Sequence, residues 1–348
     1  MWFRFIFGCI ISLRLYHGAA EQRWFLFRWN TGRMPLSPHD LVVGDREHEL
    51  TAITALIRKQ LVTPYRLSAV LEEQGSAVEI VRLSEDDRLF RSALPTHDWV
   101  GAVTAEDVQA AYKDVRGWTE RRLDCRSVLD SAYPAALRDI FNRPPIIFVQ
   151  GTWDEQKDGW SIAIVGTRKA SPEGLRRASR LSRELGEAGF TIFSGMAAGI
   201  DTAAHREALR LGARTCAVMG TGIDKRYPAT NAGLAAEIVD SGGCLLSQFF
   251  PTQPPTQWTF PNRNIVMSGL TLATVVVEAS ETSGARMQAR VALQHGRTVF
   301  ILRSLVESHA WARKYVEDGA YGTHAVMISS TAEITDRIDG RTDQLLVA

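Results

Sequence analysis

Five segments of the chain concentrate glycine, hydroxyl and basic side chains. They are Gly166-Thr167-Arg168-Lys169, Ser194-Gly195-Met196-Ala197-Ala198-Gly199, Gly220-Thr221-Gly222-Ile223-Asp224-Lys225-Arg226, Asn262-Arg263-Asn264 and Ser280-Glu281-Thr282-Ser283-Gly284-Ala285-Arg286. Glycine lets backbone N–H groups approach an anion closely, and arginine offers phosphate a bidentate fork. The chemistry this favours is anion binding. Signatures of bond-breaking chemistry are absent: there is no HExxH, CxxC, GxSxG or GxxxxGK[ST] motif, and no GxGxxG around Gly166. His205, within AAHREAL, reads as a structural histidine. Asp201 reads as an N-terminal helix cap. Glu278 reads either as an acid at a sheet edge or as an acceptor for amides of the glycine loops.

The elements that must position these residues can be read from periodicity. The stretch SIAIVGTRKASPEGLRRASRLSRELGEAGFTIFS, residues 161–194, gives strand, loop, helix and strand. Its helix starts with Ser171 as cap, Pro172 in the first position and Glu173 in the first turn. That helix start, beside a basic loop, is expected to seat a phosphate. Apolar runs predict strands at 162–165, 191–193, 215–219, 245–249, 273–278 and 298–302, with a helical pattern between each consecutive pair. Such alternation means an α/β fold with a doubly wound, mostly parallel, Rossmann-like sheet. Ligands of such sheets lie at the carboxyl ends of the strands, where the five segments fall. Residues 251–261 read as a long proline-rich loop, followed by Asn262-Arg263-Asn264. Upstream, strands are expected near 127–129 and 146–149, and a short helix at 133–141. Downstream, helices are expected at 311–319 and 331–338, with a strand at 325–328.

Composition bounds the function. The chain has 348 residues, 45% hydrophobic and 23% charged, with a net charge of +1. A polyanionic partner would therefore meet a local basic patch rather than a global field. Cys9, Cys125, Cys216 and Cys244 have no zinc spacing and suggest no disulfide scaffold, so a reducing, cytoplasmic setting is expected. The expected organisation is a leader or misassigned start at 1–33, a small helical module at 34–117, the Rossmann-like core at 118–303, and a tail at 304–348 that completes the core. The helical module either touches a nucleic-acid backbone or only packs.

Taken together, VGTRKASPEGL, FSGMAAGIDTAAHREAL, VMGTGIDKRYPATN, FPNRNIVMSGL and VVVEASETSGARMQARVAL resemble the DNA-processing protein A family, also called DprA or Smf. The resemblance implies an extended Rossmann-like domain that binds single-stranded DNA, forms a homodimer and loads the RecA recombinase during natural transformation. It implies no enzyme activity, no cofactor and no membrane association. By motif position it assigns the DNA contacts to Arg168, Ser194, Gly195, Gly220, Thr221, Asn231, Arg263, Asn264, Ser283 and Gly284. Gly166, Lys169, Lys225 and Arg286 join them as neighbours on the same edge. Two positions that the family usually fills with basic residues are here Ala198 and Ile265. The C-terminal winged helix of some family members is expected to be absent. The competing reading is a Rossmann-like nucleotide sensor or phosphoribohydrolase-like enzyme; against hydrolysis, 278–286 lacks a PGGxGTxxE motif.

Overall fold

Strands buried on both faces need apolar residues at successive positions, and this requirement shapes the middle of the chain. The computed structural model describes residues 36–60, 63–83 and 103–347; the expected leader at 1–33 lies outside them. In chain order the helices are α1 (Arg46–Lys59), α2 (Pro64–Gln74), α3 (Ala77–Leu83), α4 (Ala105–Glu120), α5 (Ala135–Arg138), α6 (Glu155–Gly159), α7 (Pro172–Glu187), α8 (Ile200–Arg210), α9 (Ala232–Asp240), α10 (Thr259–Leu270), α11 (Gly284–Gln294), α12 (Arg303–Ser308), α13 (Ala310–Glu317) and α14 (Ala332–Val347). The strands are β1 (Asp124–Ser127), β2 (Ile146–Gly151), β3 (Ser161–Val165), β4 (Thr191–Ser194), β5 (Thr215–Val218), β6 (Cys244–Ser247), β7 (Ala273–Val276), β8 (Thr298–Leu302) and β9 (Val326–Ile328).

These strands form one sheet in the order β1-β2-β6-β5-β4-β3-β7-β8-β9. From β6 to β9 all pairs are parallel, whereas β1 and β2 add to the β6 side as antiparallel strands. The doubly wound α/β architecture is therefore present. The order turns back between β3 and β7, which are adjacent although three strands separate them in sequence order. That is the switch point at which such sheets open a crevice. Two apolar clusters sandwich the sheet. One joins Ala178, Leu181 and Leu185 of α7, Ile200 and Ala204 of α8 and Ile334 of α14 to Ile162, Ile164 and Val275. The other joins α10 and α11 to Val165 and Val276, and extends without a break through Trp118, Phe148 and the buried faces of α1–α4.

Segment 259–270 departs from expectation. It is helical from Thr259, inside the expected 251–261 loop, and Asn262, Arg263 and Asn264 lie on α10. Pro261 falls in the first turn, where an N–H has no intrahelical acceptor and proline is tolerated. The expected helix at 133–141 shrinks to Ala135–Arg138, ending at Asp139 well before the Pro144-Pro145 segment that leads into β2. Cys216 and Cys244 are buried free thiols and face each other in register on β5 and β6. Beside them, buried Asp158 receives Arg214 on both carboxylate oxygens at 2.7 and 2.6 Å.

Candidate nucleic-acid interface

The carboxyl edge of the parallel strands carries the five segments, and the structure sorts their residues into two sets. The first set is buried and bonded within the protein. Ser194 Oγ donates to the Ile164 carbonyl at 2.6 Å. Thr221 Oγ1 donates to the Lys225 carbonyl at 2.7 Å. Asn231 Nδ2 donates to the Met196 carbonyl and Thr202 Oγ1 at 2.8 and 2.9 Å. It thereby holds a loop in which Met196 takes a left-handed backbone, φ 63°. Arg263, only 8% exposed, donates through Nη1 to the carbonyls of Gly195 and Val218 at 2.7 and 2.9 Å, and through Nε to Asn264 Oδ1 at 3.1 Å.

Gly195 is what admits that guanidinium. A Cβ there would lie 1.8 Å from Arg263 Nη1. Gly220 plays the same part for Phe260, whose ring a Cβ would meet at 2.6 Å, and Gly166 for Ile200 at 2.3 Å. These glycines serve close packing at the edge. Asp201 is not the helix cap that its position suggests, since α8 is capped at Gly199. Its buried carboxylate accepts from the amides of Gly195 and Ala197 at 3.1 and 3.3 Å. Burial raises its pKa, against the opposing pull of Arg263 and those amides. His205, fully buried, accepts no charge: burial and nearby Arg263 push its pKa down to about 3, and Nδ1 pairs with Thr215 Oγ1 at 2.7 Å. Burial also lowers the Arg263 pKa, with Arg168 adding repulsion and Asp201 opposing.

The second set faces outward. Arg168, Lys169 and Lys225 are exposed, and their side chains form no ion pair among the described residues. The Arg168 guanidinium lies over the Phe260 ring, 5.0 Å from its centroid. Tyr227, 42% exposed, tilts against the same ring at 5.5 Å. Trp258, 53% exposed, meets Phe249 edge-on at 5.4 Å. Arg168 thus stands on an aromatic face, a combination suited to sequence-tolerant binding of single strands. The aromatic members escaped the sequence reading, which followed glycines and charges; the YPAT and WTFP segments beside strand ends were the available signal. Ser283 caps α11 by accepting from the Ala285 amide, and Gly284 is exposed beside it. Arg286 is half-buried and ion-paired with Glu281 at 2.8 Å. Arg226 is bonded to Gln150 and the Ile223 carbonyl. Ala198 is exposed, whereas Ile265 packs against the apolar cluster.

The expected phosphate seat at the start of α7 is already filled. Glu278, arriving from β7 across the switch point, accepts from the Ser171 amide at 3.2 Å and from Ser171 Oγ at 2.8 Å. Its own carbonyl accepts from the Thr167 amide at 2.7 Å. Gly174 makes room for this carboxylate, since a Cβ would lie 2.0 Å from Glu278 Oε2. Of the two readings of Glu278, the structure shows the amide acceptor.

Comparison with known proteins agrees with this architecture. The sequence profile of DNA recombination-mediator protein A matches residues 125–339. The chain belongs to that family. Protein Smf of Synechocystis sp. is 40% identical over 176 residues, 50% of this chain and 44% of that protein. DNA processing protein DprA of Streptococcus pneumoniae is 37% identical over 176 residues, 51% of this chain and 61% of that protein. The chain thus spans about half of these curated relatives. Among solved structures, S. pneumoniae DprA superposes with a TM-score of 0.64 at 24% identity, over 87% of this chain and 98% of its own. DNA processing protein A of Helicobacter pylori, described for its single-stranded DNA binding mode, superposes at 0.54 and 24% identity, over 63% of this chain and 97% of its own. At that identity the superpositions establish the shared fold. No helix among the described residues is long and apolar enough to cross a membrane.

Proposed function

We propose that this family member binds single-stranded DNA along the carboxyl edge of its sheet, in the cytoplasm, as a homodimer, and delivers the strand to the RecA recombinase. One observation carries the reading: exposed Arg168 lies over the Phe260 ring, against which Tyr227 tilts, and Arg168, Lys169 and Lys225 have no ion pair among the described residues. Cations track phosphates without reading sequence, and rings stack on any base. Membership of a recombination-mediator family supports the delivery step. The protein acts by holding DNA, with the buried Ser194, Thr221, Asn231, Arg263 and Asn264 shaping the loops and the outward cations making the contacts. A mononucleotide reading is less favoured, because Glu278 occupies the helix start that would hold its phosphate. The test is fluorescence anisotropy with labelled oligo-dT at two salt concentrations. Binding that weakens steeply with salt, and weakens again in Lys169→Ala and Trp258→Ala, supports the reading. Failure to bind the oligonucleotide, with thermal stabilisation by a nucleoside monophosphate, would replace it with the nucleotide-sensor alternative.

A further inference from the structure

The edge that presents Arg168 does not end at the switch point. β7, β8 and β9 continue in parallel, so their carboxyl ends open on the same side. Between the ends of β8 and β9 and the outer face of α7 lies a groove of about 480 Å³. Arg176, Arg177 and Arg180 line it from α7, and Arg303 from the residue after β8, above a floor that includes Leu181 and Ile328. Two carboxylates, Glu173 and Glu307, also line it. Glu173 pairs with Arg176 at 2.5 Å and Arg177 at 2.9 Å, and Arg180 pairs with Glu184 at 2.7 Å. Arg303 has no ion pair among the described residues; its Nε donates to Ser329 Oγ at 2.7 Å. Arg177 Nη1 likewise donates to Ser304 Oγ at 2.6 Å. The hydroxyl bonds fix both guanidiniums while leaving them further N–H donors. The amides of Ser329 and Ser330 are taken by Glu333, at 3.0 and 2.9 Å, so guanidiniums are the donors left for an incoming anion.

We propose that this groove is a second phosphate-binding segment, and that a single strand seated on Arg168 and Lys169 runs on over the β7 loop into it. The proposal rests on the reading of the edge as a single-stranded DNA site. Two features select a nucleic-acid backbone as occupant. The lining carries four guanidiniums against two carboxylates, and the groove continues the edge that already presents unpaired cations. From β5 to β9 the edge crosses five strand spacings, about 24 Å at ~4.8 Å each. That length suits several consecutive nucleotides, within the roughly 4–16 that single-strand-binding modules occupy.

The experiment compares oligo-dT of about 6 and about 20 nucleotides, the lower and upper reach of such modules, by anisotropy at two salt concentrations. The full chain is used as parent, Arg303→Ala, Arg303→Glu and Arg168→Ala, with thermal melting as a check on folding. The expected result is that both Arg303 variants melt like the parent and bind both lengths more weakly, since about 6 nucleotides at ~3.4 Å each outrun the two strand spacings from β3 to β8. Their Kd for the long one rises about 3- to 10-fold, more for the glutamate, and the salt slope becomes shallower by about 0.7 for each lost contact. If Arg303→Glu binds both lengths like the parent while Arg168→Ala weakens both, the groove proposal is overturned and the edge reading stands. If Arg303→Glu keeps parental DNA binding but loses binding of a labelled poly-glutamate peptide, the groove belongs to an acidic protein segment and the proposal is likewise overturned. If the parent binds neither length, the edge reading falls and takes the proposal with it.

Discussion

Two arginines from neighbouring motifs have opposite fates, and the difference is a matter of available volume. Arg168 is exposed and stacked on Phe260, whereas Arg263 fills the space left by Gly195 and bonds two backbone carbonyls. Arg168→Ala is therefore expected to weaken oligo-dT binding, to flatten its salt slope by about 0.7, and to leave the urea midpoint unchanged. Arg263→Ala strands two carbonyls and leaves Asp201 without its nearby cation, so it should cost about 3 kcal/mol or more in urea unfolding. Equal loss of stability in both variants would contradict this division. Ala198 is exposed, and beside it a Cβ on Gly199 would lie 2.8 Å from the Arg168 carbonyl oxygen, so the two loops run close together. Ala198→Lys should tighten oligo-dT binding and steepen the salt slope by about 0.7; an unchanged slope would place the strand elsewhere. Buried His205 and half-buried His295 contribute to the acid response. Folded values near 3 for His205 and near 4 for His295 lie below the unfolded value of 6.5. The stability linked to their neutral rings is thus present above about pH 6.5 and is lost as pH falls toward 4, by up to about 1.4 kcal/mol per unit for each ring. Asp201, whose folded pKa is raised, runs the other way and recovers part of the loss once it takes up its proton. The urea midpoint should fall between about pH 7 and about pH 5, with a smaller fall in His295→Gln. A flat profile in the parent would refute the assignment.

At the scale of elements, the β3–α7 and β7–α11 units are tied together by one side chain. Glu278 bonds the start of α7, and its carbonyl bonds the loop before it. Glu278→Ala removes an acceptor for the Ser171 amide and hydroxyl and a favourable charge at a helix start, worth about 1–2 kcal/mol. It also vacates an anion seat, so millimolar phosphate should raise the melting temperature of the variant and not of the parent. Parental stability together with no phosphate response would show that the latch is idle. The same region marks how far the sequence could be read. The alternation of strand and helix was legible because parallel strands such as Ile162-Ala163-Ile164-Val165 must be apolar at every position. The orientation of β1 and β2 was not, since pairing direction is a property of the partner β6 and leaves no local trace. The start of α10 was hidden by Pro261, which reads as a loop signal although a first turn tolerates it. At the site, loop positions were legible from glycines and charges. Burial of Arg263 and occupation of the α7 start were not, because both depend on a Cβ missing from a glycine distant in sequence, Gly195 in one case and Gly174 in the other.

At the scale of the molecule, the question is whether the N-terminal helices behave as a separate module. Residues 35–348 group as one unit by contacts. The joint is built from several kinds of interaction. Trp118 of α4, 7% exposed, meets Phe148 of β2 edge-on at 4.9 Å and Phe250 at 5.7 Å. Arg58 of α1 lies over Phe250, and Arg121 pairs with Asp224 at 2.5 Å in the loop after β5. Asp224 sits beside Lys225, so the joint reaches the proposed DNA edge. An apolar cluster that runs through both parts without a break predicts cooperative unfolding. Far-UV circular dichroism and tryptophan fluorescence should then give coincident urea transitions in the parent. Trp118→Ala, which opens a cavity at the joint, should cost about 3–5 kcal/mol and, by loosening α1–α4 from the sheet, separate the two transitions. Two transitions already present in the parent would mean that the helices fold independently of the sheet. In that case the Arg121–Asp224 pair would tether two bodies, and Arg121→Ala would be expected to change DNA affinity without changing either midpoint.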